Sequence, residues 1–107
     1  MIINSGDIWL VKFHPGTGAE FSKYRPAIVL SNLQNVDSRF CLIAPLTFDT
    51  QIRNDYEFEI ENEAIQKPSL LLGWYLWTID SRRLVSKLGN LQNHKLKPIL
   101  SKIKNLF

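Results

Sequence analysis

The stretch KYRPAIVLSN, residues 23–32, sets the guanidinium of Arg25 directly before a proline, at the mouth of a β-branched run. A planar fork of N–H donors that stays charged at any working pH suits two oxygens of a phosphoryl group. A surface cation at the start of a strand, with Pro26 tolerated there, is the plain alternative. Lys12 and Lys23 offer further phosphate contacts, and His14 carries an imidazole that can move protons near neutrality. Ordinary solvated side chains would explain all three equally well. A second apolar run, FCLIAPLT, ends in Thr47, whose hydroxyl could donate to a phosphate oxygen. Other chemistries find little here. His14, His94 and Cys41 lack the spacing of metal ligands. The GTG of residues 16–18 leads into a strand and not a helix, so it is no phosphate loop. Neither a nucleophile elbow nor a serine triad pattern occurs.

Charge bears on the same question. The formal net charge is only +3, yet Asp55, Glu57, Glu59, Glu61 and Glu63 crowd into residues 55–63, which contain no base. The rest of the chain carries 13 bases against 5 acids. That segregation can build a cationic face suited to a polyanion, with the acidic strand elsewhere. A plainly solvated surface fits the charge pattern as well.

The elements that must position these residues are strands first and a helix last. A chain of 107 residues is the size of one domain, residues 1–107. DIWLVKF (7–13) sets Trp9, Val11 and Phe13 against Ile8, Leu10 and Lys12, and PAIVLSN and FCLIAPLT are short buried-strand runs. DYEFEIE (55–61) alternates, so Tyr56, Phe58 and Ile60 are expected to turn inward and the four acids to face water. SLLLGWYLW and RLVSKLGNL complete the β-like set. HPGTGAEFSKY (14–24), broken by Pro15, Gly16 and Gly18, reads as a mobile surface loop. After Asn93 as N-cap, Leu96, Ile99, Leu100, Ile103 and Phe107 share one helical face, and Pro98 distorts the first turn without stopping the helix. A mainly β fold with a C-terminal helix, arranged as a small barrel, is the expectation. LLLGWYLWTI (70–79) is about half the ~20 residues a membrane helix needs, and the N-terminus lacks a signal-peptide pattern. Cys41, in an apolar run, reads as a buried core thiol and fits a reducing cytoplasm.

Four segments in order now resemble one family, the MazF/PemK (Kid) toxins of type II toxin–antitoxin systems. They are GDIWLVKFHPGTGAEFSKYRPAIVLSN, IAPLT (43–47), TIDSRRL (78–84) and KLGNL before a helix. The resemblance implies an SH3-like barrel forming a homodimer and held in check by a cognate antitoxin. It implies a metal-independent endoribonuclease that cuts single-stranded mRNA by 2′-OH attack, leaving a 2′,3′-cyclic phosphate, with no cofactor. Arg25 and Thr47 match the family's catalytic arginine and threonine, and Glu20 a loop glutamate. The family histidine falls where this chain has Ala19, which makes His14 a displaced candidate for proton transfer. In-line attack at phosphorus needs a base, an acid and a positive charge on the phosphoryl oxygens; Arg25 suits only the last.

One departure stands out. Many members read Asp-Gln-x-Arg-Thr-Ile-Asp where this chain reads Trp74-Tyr75-Leu76-Trp77-Thr78-Ile79-Asp80. The aromatics could stack on unpaired RNA bases, which would make Trp77 and Thr78 RNA-binding along with Lys12, Glu20 and Lys23. They could be core or interface residues, or mark a site that has lost part of its equipment. Tyr75 remains a candidate proton donor. The alternative function is therefore a non-catalytic member acting by binding: a gyrase inhibitor of CcdB type, or a binder of antitoxin or RNA only. The terminal KNLF does not resemble the Trp-containing end of the CcdB branch.

Overall fold

A computed structural model of the chain describes residues 2–13 and 24–107. Seven strands run through it: β1 (Asp7–Lys12), β2 (Tyr24–Ser31), β3 (Phe40–Thr47), β4 (Glu57–Ile60), β5 (Ser69–Leu72), β6 (Trp77–Asp80) and β7 (Leu84–Asn90). One helix, α1 (Asn93–Ile103), follows. All pairings are antiparallel, in the order β4-β5-β3-β2-β1-β7, with β6 also beside β3. The mainly β fold with a C-terminal helix is as expected, but the barrel is open: β4 and β7 end the path without pairing. Asn62 Nδ2 bridges the gap by donating to the Asn90 carbonyl at 2.9 Å. A Cβ on Gly89 would lie 2.5 Å from that of Ala64, so the two ends touch where a ladder would otherwise run.

Alternation along the strands makes two apolar faces. One face carries Ile8, Ile28, Ala44, Leu46 and Leu71, and α1 covers it with Leu96, Ile99 and Ile103. The other gathers Trp9, Val11, Phe13, Ala27, Val29, Cys41, Ile43, Ile79 and Leu84, with Trp77 packed against it. Each fully buried Ile or Leu contributes about 1.5–3 kcal/mol, so the paired faces account for why a short chain holds this sheet.

Four local readings are corrected. SLLLGWYLW is not one strand: a turn at residues 73–76 separates β5 from β6. The helix is capped by Gln92 and not Asn93, with no side-chain cap bond, and Lys95 N and Leu96 N donate to the Gln92 carbonyl. Phe107 lies beyond the helix, after a 3-10 turn at Lys104–Leu106, and is 90% exposed because the helical phase is lost there. Of the acids in DYEFEIE, Glu57 is buried at 7% exposure; its hydrogen bonds, described below, offset the cost of leaving water.

Candidate active site

Arg25 and Thr47 are brought together by strand register. The β2–β3 ladder runs to Ala27 opposite Pro45 and stops there, beside Pro26. Neither proline has an N–H to offer, so the ladder loses donors on both strands at that point. Beyond it, Leu46 and Thr47 pair with Leu71 and Leu70 of β5, along the edge of β3 that β6 also uses and opposite β2. Arg25 is two residues before Ala27 and Thr47 two after Pro45, so the same register sets the two across from each other just past the end of the β2–β3 ladder. Arg25 lies opposite Val11, a member of the second apolar face, and by alternation Thr47 belongs to that face as well. The arginine before a proline thus sits just past the end of the β2–β3 ladder.

Burial of its base pulls the Arg25 pKa below the ordinary arginine value, from a starting point high enough that it remains a cation. Thr47 Oγ1 accepts the Asp49 N–H at 3.3 Å, which holds the oxygen and aims its own proton elsewhere. Together they can supply positive charge and a hydroxyl donor to an oxyanion.

Aromatic rings wall the same face. Trp77 pairs with Ile43 on β3, yet its ring reaches Phe13 at the end of β1, 5.3 Å away and edge-on at 70°. It therefore spans the sheet toward the strand that faces Arg25. Its Nε1 is buried and has no acceptor among the described residues, so it presents ring and not donor. Tyr75 lies 5.3 Å from Trp77, and Trp74 stacks on Tyr75 at 5.2 Å with planes 10° apart. At the far end Trp74 Nε1 donates to Glu57 Oε2 at 2.9 Å. Glu57 Oε1 accepts from Arg53 N at 2.7 Å, and Asn54 Nδ2 lies 3.4 Å from Oε2. These bonds, the Arg53 amide first, hold the Glu57 carboxyl below the usual range.

Other expected residues fall elsewhere. Thr78 is exposed and, opposite Leu42, occupies the other face of β6 from Trp77. Lys12 pairs with Tyr24 and is exposed on the face away from Val11; its carbonyl accepts from Arg83 Nη1 at 3.3 Å. His14, Glu20, Lys23 and the rest of the loop reading lie outside the described residues. Asp80, part of the TIDSRRL segment, caps the 3-10 turn Ser81–Arg83. Its carboxylate accepts from Arg82 N, Nε and Nη2 at 2.9, 3.1 and 2.9 Å, and these bonds pull its pKa down to about 2. The turn so held carries Arg83 to β1. Among the described residues no three His, Cys, Asp or Glu side chains gather as metal ligands, and no helix is long and apolar enough to cross a membrane. Glu57 was not legible as a site residue. The signal available was that an indole N–H taken out of water finds an acceptor.

The fold and the strand register together define a small, open antiparallel β protein with an arginine and a threonine across from each other at the end of one ladder. The profile of the PemK-like, MazF-like toxins of type II toxin-antitoxin systems matches residues 4–107, and the chain belongs to that family. It is 25% identical over 105 residues to endoribonuclease EndoA of Bacillus subtilis (strain 168), covering 92% of this chain and 89% of that protein. It superposes on MazF (Form-I) from Deinococcus radiodurans with a TM-score of 0.80 at 21% identity, over 99% and 96% of the two chains. Against the MazE-MazF (Form-III) structure from the same organism the TM-score is 0.70 at 22% identity, over 95% and 92%.

Proposed function

We propose that this chain is the toxin of a type II toxin–antitoxin system and acts as a metal-independent endoribonuclease on single-stranded mRNA in the cytoplasm. The observation that carries the reading is the register that sets Arg25 and Thr47 on one face, just past the end of the β2–β3 ladder. Membership in the toxin family and the likeness to EndoA support it. The ribose 2′-hydroxyl gives up its proton to a base as its oxygen bonds to phosphorus, a 2′,3′-cyclic phosphate forms, and the P–O5′ bond breaks with a proton delivered by an acid to the leaving 5′-oxygen. Arg25 gives two N–H donors to the non-bridging oxygens as charge builds on them, and Thr47 adds a hydroxyl donor. Proton transfer is assigned to Tyr75 or His14. Trp77 lines the path of the strand, and Glu20 and Lys23 are its further RNA contacts; Lys12 and Thr78 face away from it.

A homodimer is part of the reading. Edge strand β7 exposes Val85 and Leu88, apolar side chains that a second copy would cover. The cognate antitoxin is the other partner, as MazE accompanies MazF in the Deinococcus structure.

The test is cleavage of a single-stranded RNA in EDTA by wild type and Arg25→Ala. Wild type should yield 2′,3′-cyclic phosphate and 5′-hydroxyl ends, and the variant should lose at least 100-fold in rate, on the order expected for removing one oxyanion donor. Unchanged cleavage by the variant removes Arg25 from the chemistry. Intact RNA with wild type, alongside inhibited gyrase supercoiling, would replace the nuclease by the gyrase-binding alternative.

A further inference from the structure

Trp74 combines two properties seldom found together. The residue keeps 45% of its surface exposed, yet its one polar side-chain atom is spent on a buried carboxylate, Glu57 Oε2 at 2.9 Å. A core tryptophan would bury its rings, and a loose surface one would leave its N–H to water. Here Glu57 is held in turn by Arg53 N, so the ring's orientation is anchored to backbone. The turn beneath is equally constrained. Gly73 N donates to the Tyr56 carbonyl at 2.8 Å and Tyr75 N to that of Leu72 at 3.0 Å. A Cβ on Gly73 would meet Phe58 Cε2 at 2.7 Å, Tyr56 O at 2.9 Å and Ile103 Cδ1 at 3.2 Å. The molecule therefore holds an exposed aromatic face rigid.

One side of that ring is stacked on Tyr75, whose other neighbour is Trp77 in the wall beside Arg25. Trp74 as a whole keeps 45% of its surface exposed. An exposed aromatic plate matches the face of an unpaired nucleobase, and a pre-ordered plate binds with less entropy lost. We infer that Trp74, stacked on Tyr75 and anchored by Glu57, is a nucleobase-stacking subsite for the RNA strand whose scissile phosphate lies at Arg25. Trp74 is then a binding residue and Glu57 a positioning residue. The subsite rests on the ribonuclease reading.

The probe is a short 2′-O-methyl oligonucleotide, which cannot be cut, built around a cleavage site mapped with wild type. Its affinity is measured by fluorescence anisotropy, and cleavage of the matching RNA is followed in parallel. Trp74→Ala should weaken binding by about 5- to 150-fold, the worth of one stacked base, and raise KM more than it lowers kcat. Trp74→Phe, which keeps a stacking ring, should recover most of the affinity. Glu57→Gln, which keeps an acceptor for the indole, should bind better than Glu57→Ala. Scanning an abasic nucleotide along the probe should find one position at which wild type and Trp74→Ala bind alike. Equal binding of wild type and a folded Trp74→Ala variant overturns the subsite and leaves the nuclease reading standing. Loss of dimerisation in Trp74→Ala with RNA affinity unchanged overturns it too, since the ring would then serve an interface. If wild type cuts no RNA, the ribonuclease reading falls and the subsite with it.

Discussion

Glu57 and Trp74, 17 positions apart in the chain, meet in a hydrogen bond from indole Nε1 to carboxylate Oε2 at 2.9 Å. It ties edge strand β4 to the turn between β5 and β6, at the end of the β4–β5 ladder where Glu57 stands opposite Leu72. The same carboxylate takes the Arg53 amide, so one buried acid organises two segments.

Stability should register that acid. Glu57→Ala leaves the Arg53 amide and the Trp74 indole without their acceptor, a loss of about 1–3 kcal/mol measured by urea denaturation. Glu57→Gln should lose less. The pH dependence has a definite sign. The folded pKa of Glu57 lies below its unfolded value, so its contribution is complete above the unfolded pKa of about 4.3 and disappears as pH falls through the folded value. A melting series from pH 7 to 3 should therefore show a shallower acid loss for Glu57→Gln than for wild type. Parallel curves would dismiss the linkage.

Thr47 separates hydroxyl from shape. Thr47→Val keeps the β-branched outline at the end of β3 and removes the donor, and kcat on RNA should fall about 100-fold with little change in KM. Thr47→Ser should restore most of the rate. Equal rates for Thr47→Val and wild type would make the residue a strand end only.

Gly73 has no room for a side chain. Its added Cβ would press on the Tyr56 carbonyl, which cannot swing aside, as well as on Phe58 and Ile103. Gly73→Ala should cost about 1–3 kcal/mol, a fall of several degrees in Tm by calorimetry, and should shift Trp74 fluorescence. An unaltered Tm would mean that the turn relaxes freely.

Cys41 is fully buried on β3, and desolvation pushes its thiol up to about 11. At pH 8 the folded protein should leave a disulfide reagent such as DTNB unreacted over minutes, and react once urea unfolds it, because thiolate is the nucleophile. Fast reaction of the native protein would place the thiol at the surface.

Much of this protein was legible in its residues. Period-2 alternation marked the strands, and the 3.6 spacing of Leu96, Ile99 and Ile103 marked the helix, because each pattern follows from backbone geometry alone. Arg25 before Pro26, and Thr47 closing an apolar run, could be singled out through the family they resemble. That they stand across from each other could not, since it depends on the register of the β2–β3 ladder and on where that ladder stops. Alternation also set Glu57 among solvent-facing acids. Only the packed chain brings it the Arg53 amide and the Trp74 indole, and a carboxylate stays buried when such partners replace its water. Local sequence determines which face a side chain takes; the partner that makes the face worth taking arrives from elsewhere in the chain, and tertiary structure decides it.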